Sequence, residues 1–272
     1  MTVIIIILGV MVLLAEILLF LIFPSCRKHN SIKLLDGKYI SHRGLHSLDG
    51  ETPENSLKAF KEAMNLGLPI EIDIHLTADG EVVVFHDDTL DRMCGVSGKI
   101  EEKTLPELKT CQLKGTECEI PTLKECLDLV NGKVPLLIEF KCISIKCDDL
   151  CVAADKVLCN YKGGYLIQSF YPTVLRWYKK HRKNVCRGQL AASFKGEVLY
   201  KRLLGCLLFN VIARPDFVSY KYQNAKSPFR RLVTKLGAYP IGWTFTSNEE
   251  LHKNVKYFNA YIFEEFLPED IK

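Results

Sequence analysis

The chain has 272 residues, of which 48% are hydrophobic and 25% charged, and carries a formal net charge of +4. That length suits one large domain, and a (β/α)8 barrel of about 250 residues in particular. So mild a charge, with no long block of like sign, argues against nucleic acid as a partner, and no internal repeat or low-complexity tract is present.

Val3 to Phe23 is almost entirely Ile, Leu, Val, Met and Phe, long enough as a helix to cross a bilayer core. Glu16 interrupts it at a cost of roughly 2.5–3.5 kcal/mol if placed at the bilayer centre, which the surrounding apolar residues offset. A secretory signal opens with a basic n-region and closes on small residues. Here Met1-Thr2 precedes the run and Phe20, Leu21 and Phe23 end it, while Arg27, Lys28 and Lys33 follow. The expectation is an uncleaved transmembrane anchor over residues 1–24, a polar linker over 25–37 and a catalytic domain over 38–272. By the positive-inside rule that domain lies on the cytoplasmic side of a single-pass membrane protein. The 11 cysteines agree: odd in number and without framework spacing, they read as mostly buried free thiols in a reducing compartment. Cys142, Cys147 and Cys151 are the densest group but lack the Cys-x-x-Cys or His partners of a metal site.

Strand patterns then alternate with helical ones. Strands are expected at Tyr39–Ser41, Pro69–Leu76, Glu81–Phe85, Pro135–Phe140, Gly164–Gln168, Cys186–Leu190, Phe217–Ser219, Pro240–Thr244 and Ala260–Phe263. The first helix has an apolar stripe at Leu57, Phe60, Ala63, Met64 and Leu66, an expected start at Thr52 (N-cap) and Pro53, and an end at Gly67. Further helices are expected at Thr122–Val130, Leu150–Asn160, Thr173–His181, Leu199–Phe209 and Asn248–Tyr257. Alternation of this kind favours a parallel sheet, and chemistry at several strand ends favours a barrel. Nine strand candidates are one too many for an eight-stranded barrel, and the Asp79-Gly80 link is too short for a parallel crossover with a helix. A local hairpin or a crossover without its helix would reconcile the count.

Four polar clusters sit at strand ends: Ser41-His42-Arg43-Gly44, Glu71-Ile72-Asp73, His86-Asp87 and Glu139-Phe140-Lys141. Glu71 and Asp73, two apart on a strand, share a face; with Glu139 they offer three oxygen donors suited to a hard cation, Mg²⁺ or Ca²⁺. His42 and His86 are the groups fitted to proton transfer near neutral pH. Arg43 can fork onto phosphoryl oxygens, and Lys141 adds a point charge beside them. Asp87 orients His86 or caps the following turn; His46 reads as a solvated loop residue. Leu199 to Ile212, followed by Lys221, Lys226, Arg230 and Arg231, reads as a helix buried against the barrel with a solvated basic loop, or as a surface lying on an anionic leaflet.

The pattern closely resembles the glycerophosphodiester phosphodiesterase family. The likeness rests on His42-Arg43-Gly44, Pro53-Glu54-Asn55-Ser56, the run from Glu71 to Gly80, Val82 to Asp87 and Glu139-Phe140-Lys141, with weaker support from Gln168-Ser169-Phe170 and Trp243-Thr244. Ser56 stands where the family usually has Thr. The resemblance implies a TIM (β/α)8 barrel like that of the phosphoinositide phospholipases C. It implies His42 and His86 as the acid–base pair, Glu71, Asp73 and Glu139 as metal ligands, and Arg43 and Lys141 on phosphate. Phe170 and Trp243 would lie against the glycerol or the leaving group. The implied reaction yields sn-glycerol 3-phosphate and an alcohol, by attack of water or through a cyclic phosphate. A lysophospholipid taken at the membrane is the alternative substrate. A catalytically dead barrel used as a binding module has no need of the intact set of two histidines and three acids.

Overall fold

In the computed structural model, which describes residues 1–27, 29–47 and 49–271, one sheet holds all nine expected strands. These are β1 (Tyr39–Ser41), β2 (Ile70–Leu76), β3 (Val82–Val84), β4 (Leu136–Phe140), β5 (Tyr165–Ser169), β6 (Arg187–Ala191), β7 (Phe217–Lys221), β8 (Tyr239–Phe245) and β9 (Ala260–Phe263). Their order is β1-β9-β8-β7-β6-β5-β4-β2-β3, and a β1–β2 pairing closes the ring. Every pair is parallel except β2–β3, which is antiparallel with Ile74 opposite Val84 and Leu76 opposite Val82. The surplus strand is therefore β3, folded back on β2 through a turn whose Gly80 has φ +85°. Eight parallel strands remain, and the fold is a TIM-like barrel.

The helices are α1 (Thr2–Ile22), α2 (Leu57–Asn65), α3 (Asp91–Cys94), α4 (Leu105–Leu108), α5 (Leu123–Val130), α6 (Asp148–Leu158), α7 (Pro172–His181), α8 (Leu199–Gly205), α9 (Asn210–Ala213), α10 (Pro228–Lys235) and α11 (Asn248–Asn254). Helix α2 starts four residues later than the sequence suggests. Its N-cap is Ser56, whose Oγ accepts the Ala59 amide at 3.1 Å, not Thr52. Asn55, at φ +54°, is not helical, so residues before Ser56 form a turn over the barrel mouth. The expected helix from Leu199 to Phe209 ends early, at Gly205, and a separate short helix, α9, begins only at Asn210. Gly205 lies so close to the Ala192 carbonyl that a Cβ there would be 2.2 Å from it, and Leu207 turns to φ +58°. Leu204 and Leu207 are buried while Val198, Leu199 and Tyr200 are exposed, so neither reading of this stretch holds along its whole length. Between β3 and α5 a small module holding α3 and α4 packs Phe85, Leu90, Met93, Ile100, Leu108 and Leu113 into a core of its own.

Strand period 2 divides the barrel residues. On β2, Ile70, Ile72 and Ile74 join the large core under the helices, which leaves Glu71 and Asp73 for the inner face. On the inner face Leu137, Leu166, Cys186, Phe217, Ile241, Ala260 and Ile262 form a dry floor with Ile40 and with Leu35, which precedes the barrel. Gly188 leaves room for the Phe217 ring; a Cβ there would fall 1.9 Å from it.

Ile32, Leu34 and Leu35, which precede β1, pack against this floor. The Arg27 guanidinium donates to both oxygens of buried Asp216, each at 2.7 Å, and to the carbonyls of Val185 (2.9 Å) and Lys183. A 3-10 turn follows over Asn30–Leu34. Lys28, the other half of the expected basic flank, lies outside the described residues. Helix α1, with a mean hydropathy of 3.2, is long and apolar enough to cross a membrane, and a signal sequence would share those properties. Its last turn docks on α9. Asn210 Nδ2 donates to the Ile22 carbonyl at 2.9 Å, and Arg214 Nη1 to those of Phe20 (2.6 Å) and Phe23 (2.8 Å). All eleven cysteines are free, but only Cys126, Cys147, Cys151 and Cys186 are buried, fewer than expected.

Candidate active site at the carboxyl ends of the strands

Register brings the acids together. Asp73 on β2 is directly opposite Glu139 on β4, which is opposite Gln168 on β5. Ligand oxygens of Glu71, Asp73 and Glu139 lie within 4.8 Å of one another, and all three residues are buried. Burial first, then the neighbouring Asp73 and Glu139 charges, push the Glu71 pKa well above the carboxylate range; Glu139 is raised chiefly by burial. Asp73 goes the other way. Burial opposes its ionisation, but the Lys141 ammonium together with His86, Arg43 and His42 outweighs that. Lys141 Nζ sits 2.7 Å from Glu139 Oε1 and 3.2 Å from Asp73 Oδ1. Neither oxygen finds a partner in hydrogen-bonding geometry. Three buried acids whose oxygens converge, two of them already drawing in the Lys141 ammonium, are the donor set a hard divalent cation requires, so the residues fit one.

The loops after β1 and β3 bring the imidazoles to the same mouth. His42 Nδ1 pairs with Glu264 Oε2 at 2.5 Å, and His86 Nδ1 with Asp87 Oδ1 at 2.6 Å. With Nδ1–H donated to a carboxylate, each ring keeps its lone pair on Nε2. Burial lowers the pKa of both rings below the usual histidine value, which favours neutral imidazole. Asp87 therefore orients His86. It also belongs to a longer chain of charges: Arg92 forks onto Asp87 (2.6 and 2.9 Å) and onto Glu54 (2.7 and 2.8 Å), and Glu54 takes Arg43 Nη1 at 2.7 Å.

Arg43 is held in a left-handed backbone conformation, φ +56°, so that its amide donates to Glu71 Oε2 at 3.2 Å while its side chain reaches Glu54. Gly44 behind it has φ +82° and sits where a Cβ would be 2.8 Å from that of Ala59; only glycine lets this loop lie on α2. Asn55 Nδ2 donates to Asp73 Oδ2 at 3.0 Å, and Gln168 reaches Glu71 at 3.4 Å while accepting Ser219 Oγ at 2.7 Å. Phe170 and Trp243 meet edge to face at 5.8 Å, and Trp243 Nε1–H is buried without a partner.

His42, Arg43, Glu71, Asp73, His86, Glu139 and Lys141 are thus brought together at one end of the barrel, and Phe170 and Trp243 meet each other there. The sequence reading missed Glu264, Arg92 and the roles of Glu54, Asn55 and Gln168. Glu54, Asn55 and Gln168 stood within quoted motifs. Glu264 directly follows the last strand, β9, and that position was the available signal.

A model of the glycerophosphoryl diester phosphodiesterase family matches residues 42–257, and the chain belongs to this family of hydrolases. A glycerophosphodiester phosphodiesterase from Caldanaerobacter subterraneus is 41% identical over 101 residues, 35% of this chain and 40% of the relative. A lysophospholipase D from Homo sapiens is 33% identical over 136 residues, 45% of this chain and 42% of the relative. The chain thus spans about two fifths of the length of these curated relatives. Among solved structures, a phosphodiesterase from Oleispira antarctica in complex with its product sn-glycerol-3-phosphate superposes with a TM-score of 0.70 at 23% identity, covering 86% of this chain and 94% of that one. A glycerophosphodiester phosphodiesterase from Thermotoga maritima gives 0.64 at 26% identity, covering 83% and 94%.

The charge chain makes a pH prediction. Burial would raise the Glu54 pKa, but Arg92 and Arg43 bring it down from 4.5 to about 2. A carboxylate held more acidic in the folded state stabilises above its unfolded pKa and loses that contribution as pH falls through the folded value. Glu54→Gln should therefore be less stable than wild type at pH 7, and the difference should shrink between pH 4.5 and pH 2. Urea unfolding across that range measures it; a difference independent of pH would remove Glu54 from the linkage.

Proposed function

We propose that the protein hydrolyses glycerophosphodiesters to sn-glycerol 3-phosphate and an alcohol, with a divalent cation, Mg²⁺ or Ca²⁺, held by Glu71, Asp73 and Glu139. The observation that carries this reading is the set of three buried acids whose oxygens lie within 4.8 Å of one another at the barrel mouth. When bound, the cation would draw charge from a phosphoryl oxygen and neutralise the acids. Arg43 and Lys141 would bind the remaining phosphoryl oxygens and stabilise charge that builds on them. His42 and His86 would act as the general acid–base pair through Nε2, one taking a proton from the attacking hydroxyl and the other giving one to the leaving oxygen. Glu264 and Asp87 would hold the two rings in the required tautomer. Phe170 and Trp243 would contact the glycerol or leaving group, with Trp243 Nε1–H free to donate.

A lysophospholipid is the second substrate reading. The relatives named lysophospholipase D support it, as does the docking of an apolar α1 on the barrel domain. Residues 1–24 would be the membrane anchor, 25–37 a linker and 38–272 the barrel domain on the cytoplasmic side. Arg27 and Lys33 after the apolar run and the free cysteines support that side. A membrane-impermeant thiol reagent should then leave exposed Cys159 unlabelled in intact cells and label it after permeabilisation; labelling in intact cells would place the domain outside.

For the chemistry, release of glycerol 3-phosphate from glycerophosphocholine should stop in EDTA and return with added cation. His42→Ala and His86→Ala should each lower kcat by at least about 10²-fold. Full turnover in EDTA after metal stripping, or near wild-type rates in either variant, would defeat the assignment.

A further inference from the structure

Beyond residue 22, the large apolar side chains more than half exposed among the described residues are Ile143, Ile145, Val198, Leu199 and Tyr200, at 57–73%. They belong to two segments only, the loop after β4 and the N-terminal end of α8, and these segments flank an open groove of about 600 Å³. Exposed apolar surface gathered in one place is costly unless something covers it.

The groove has direction. Its inner end is Phe170, whose ring meets Trp243 at the barrel mouth. It continues past Tyr171 and Leu204 to Phe209 and Ile212 at α9. Helix α9 is also the element on which α1 docks, through Asn210 and Arg214. The polar groups on the wall are few and partly occupied: Thr173 Oγ1 pairs with Cys147 Sγ at 3.4 Å, and Lys201 with Glu197 at 3.0 Å. An apolar channel thus joins the proposed glycerol contact to the seat of the apolar helix.

We infer that this groove is the acyl-chain subsite of the enzyme, holding the single chain of a lysophospholipid while its phosphodiester lies at Glu71, Asp73 and Glu139. The inference rests on the lysophospholipid reading above and names the surface that would confer it. In such a lipid, glycerol links phosphate to chain, so a chain leaving the site must start at the glycerol contact, where the groove begins. The volume falls in the range of pockets that hold one small ligand, and α9 is shared with the helix apolar enough to lie in the same lipid phase. A water-soluble glycerophosphodiester would leave the groove unused.

The test uses the full chain in lipid nanodiscs with two substrates, glycerophosphocholine and 16-carbon lysophosphatidylcholine. Ile212→Trp fills the far end of the groove, and Tyr200→Asp charges its rim at a side chain 60% exposed, where folding is spared. Both variants should lower kcat/KM for the lysophospholipid at least tenfold and leave glycerophosphocholine within twofold. Lengthening the chain should raise wild-type kcat/KM by up to about fourfold per methylene buried, and the variants should flatten that dependence. Separately, a lysophosphatidylcholine carrying a diazirine at its chain end should label Leu204, Phe209 or Ile212. Equal effects on both substrates, no effect on either, or labelling elsewhere would overturn the subsite. Loss of turnover on both substrates in the wild type would instead defeat the proposed reaction, and the labelling would still decide the groove.

Discussion

Three carboxylates buried at the mouth of a barrel are the constraint to which the rest of the molecule answers. The three acids' oxygens lie within 4.8 Å of one another; two unit charges at that outer limit would repel by about 3.5 kcal/mol even at an effective dielectric of 20, and burial adds a desolvation cost. Lys141 is drawn between Asp73 and Glu139, Arg43 is bent into a left-handed backbone beside Glu71 and Asp73, and Asn55 turns out of the helix to donate to Asp73. Even so, Glu71 and Glu139 remain hard to ionise. The protein's own cations offset part of the negative charge, and a bound divalent cation would offset the rest.

The outer ring of charges follows from the inner one. Arg43 needs Glu54, Glu54 needs Arg92, and Arg92 in turn fixes Asp87 against His86. Arg43 and His86 are thereby linked through a chain of ion pairs rather than placed independently. Below them the floor of Phe217, Ile241 and Leu35 is dry and tightly filled, so the polar mouth rests on a rigid base. Arg27 on Asp216 ties the segment leading from α1 to that base, and α9 fixes the end of α1 itself.

Much of this was legible in the sequence because the signals are local. Apolar alternation placed all nine strands, and the two-residue spacing of Glu71 and Asp73 required a shared face. The Asp79-Gly80 link already spoke against a parallel crossover; only the pairing of Ile74 with Val84 identified β3 as the strand outside the barrel. The start of α2 misled because Thr52-Pro53 is a sound helix-start pattern, yet the need to bring Asn55 to Asp73 overrode it. Glu264 and Arg92 were hidden for another reason. Their partners His42 and Glu54 lie 222 and 38 residues away, and nothing periodic connects residues that meet only when the barrel closes. The break between α8 and α9, which opens the apolar groove, likewise depends on a close approach of Gly205 to the strand loop that composition does not reveal.

Cation binding by Glu71, Asp73 and Glu139 is the property on which the site's chemistry depends. Electron paramagnetic resonance of Mn²⁺, a hard oxygen-seeking ion that can stand in for Mg²⁺, added to the metal-stripped full chain reads this without any substrate. One bound ion per chain is predicted, displaced by Mg²⁺ or Ca²⁺ and lost in Asp73→Asn and in Glu139→Gln. Absence of bound Mn²⁺ in the wild type, or binding that persists unchanged in both variants, would contradict it.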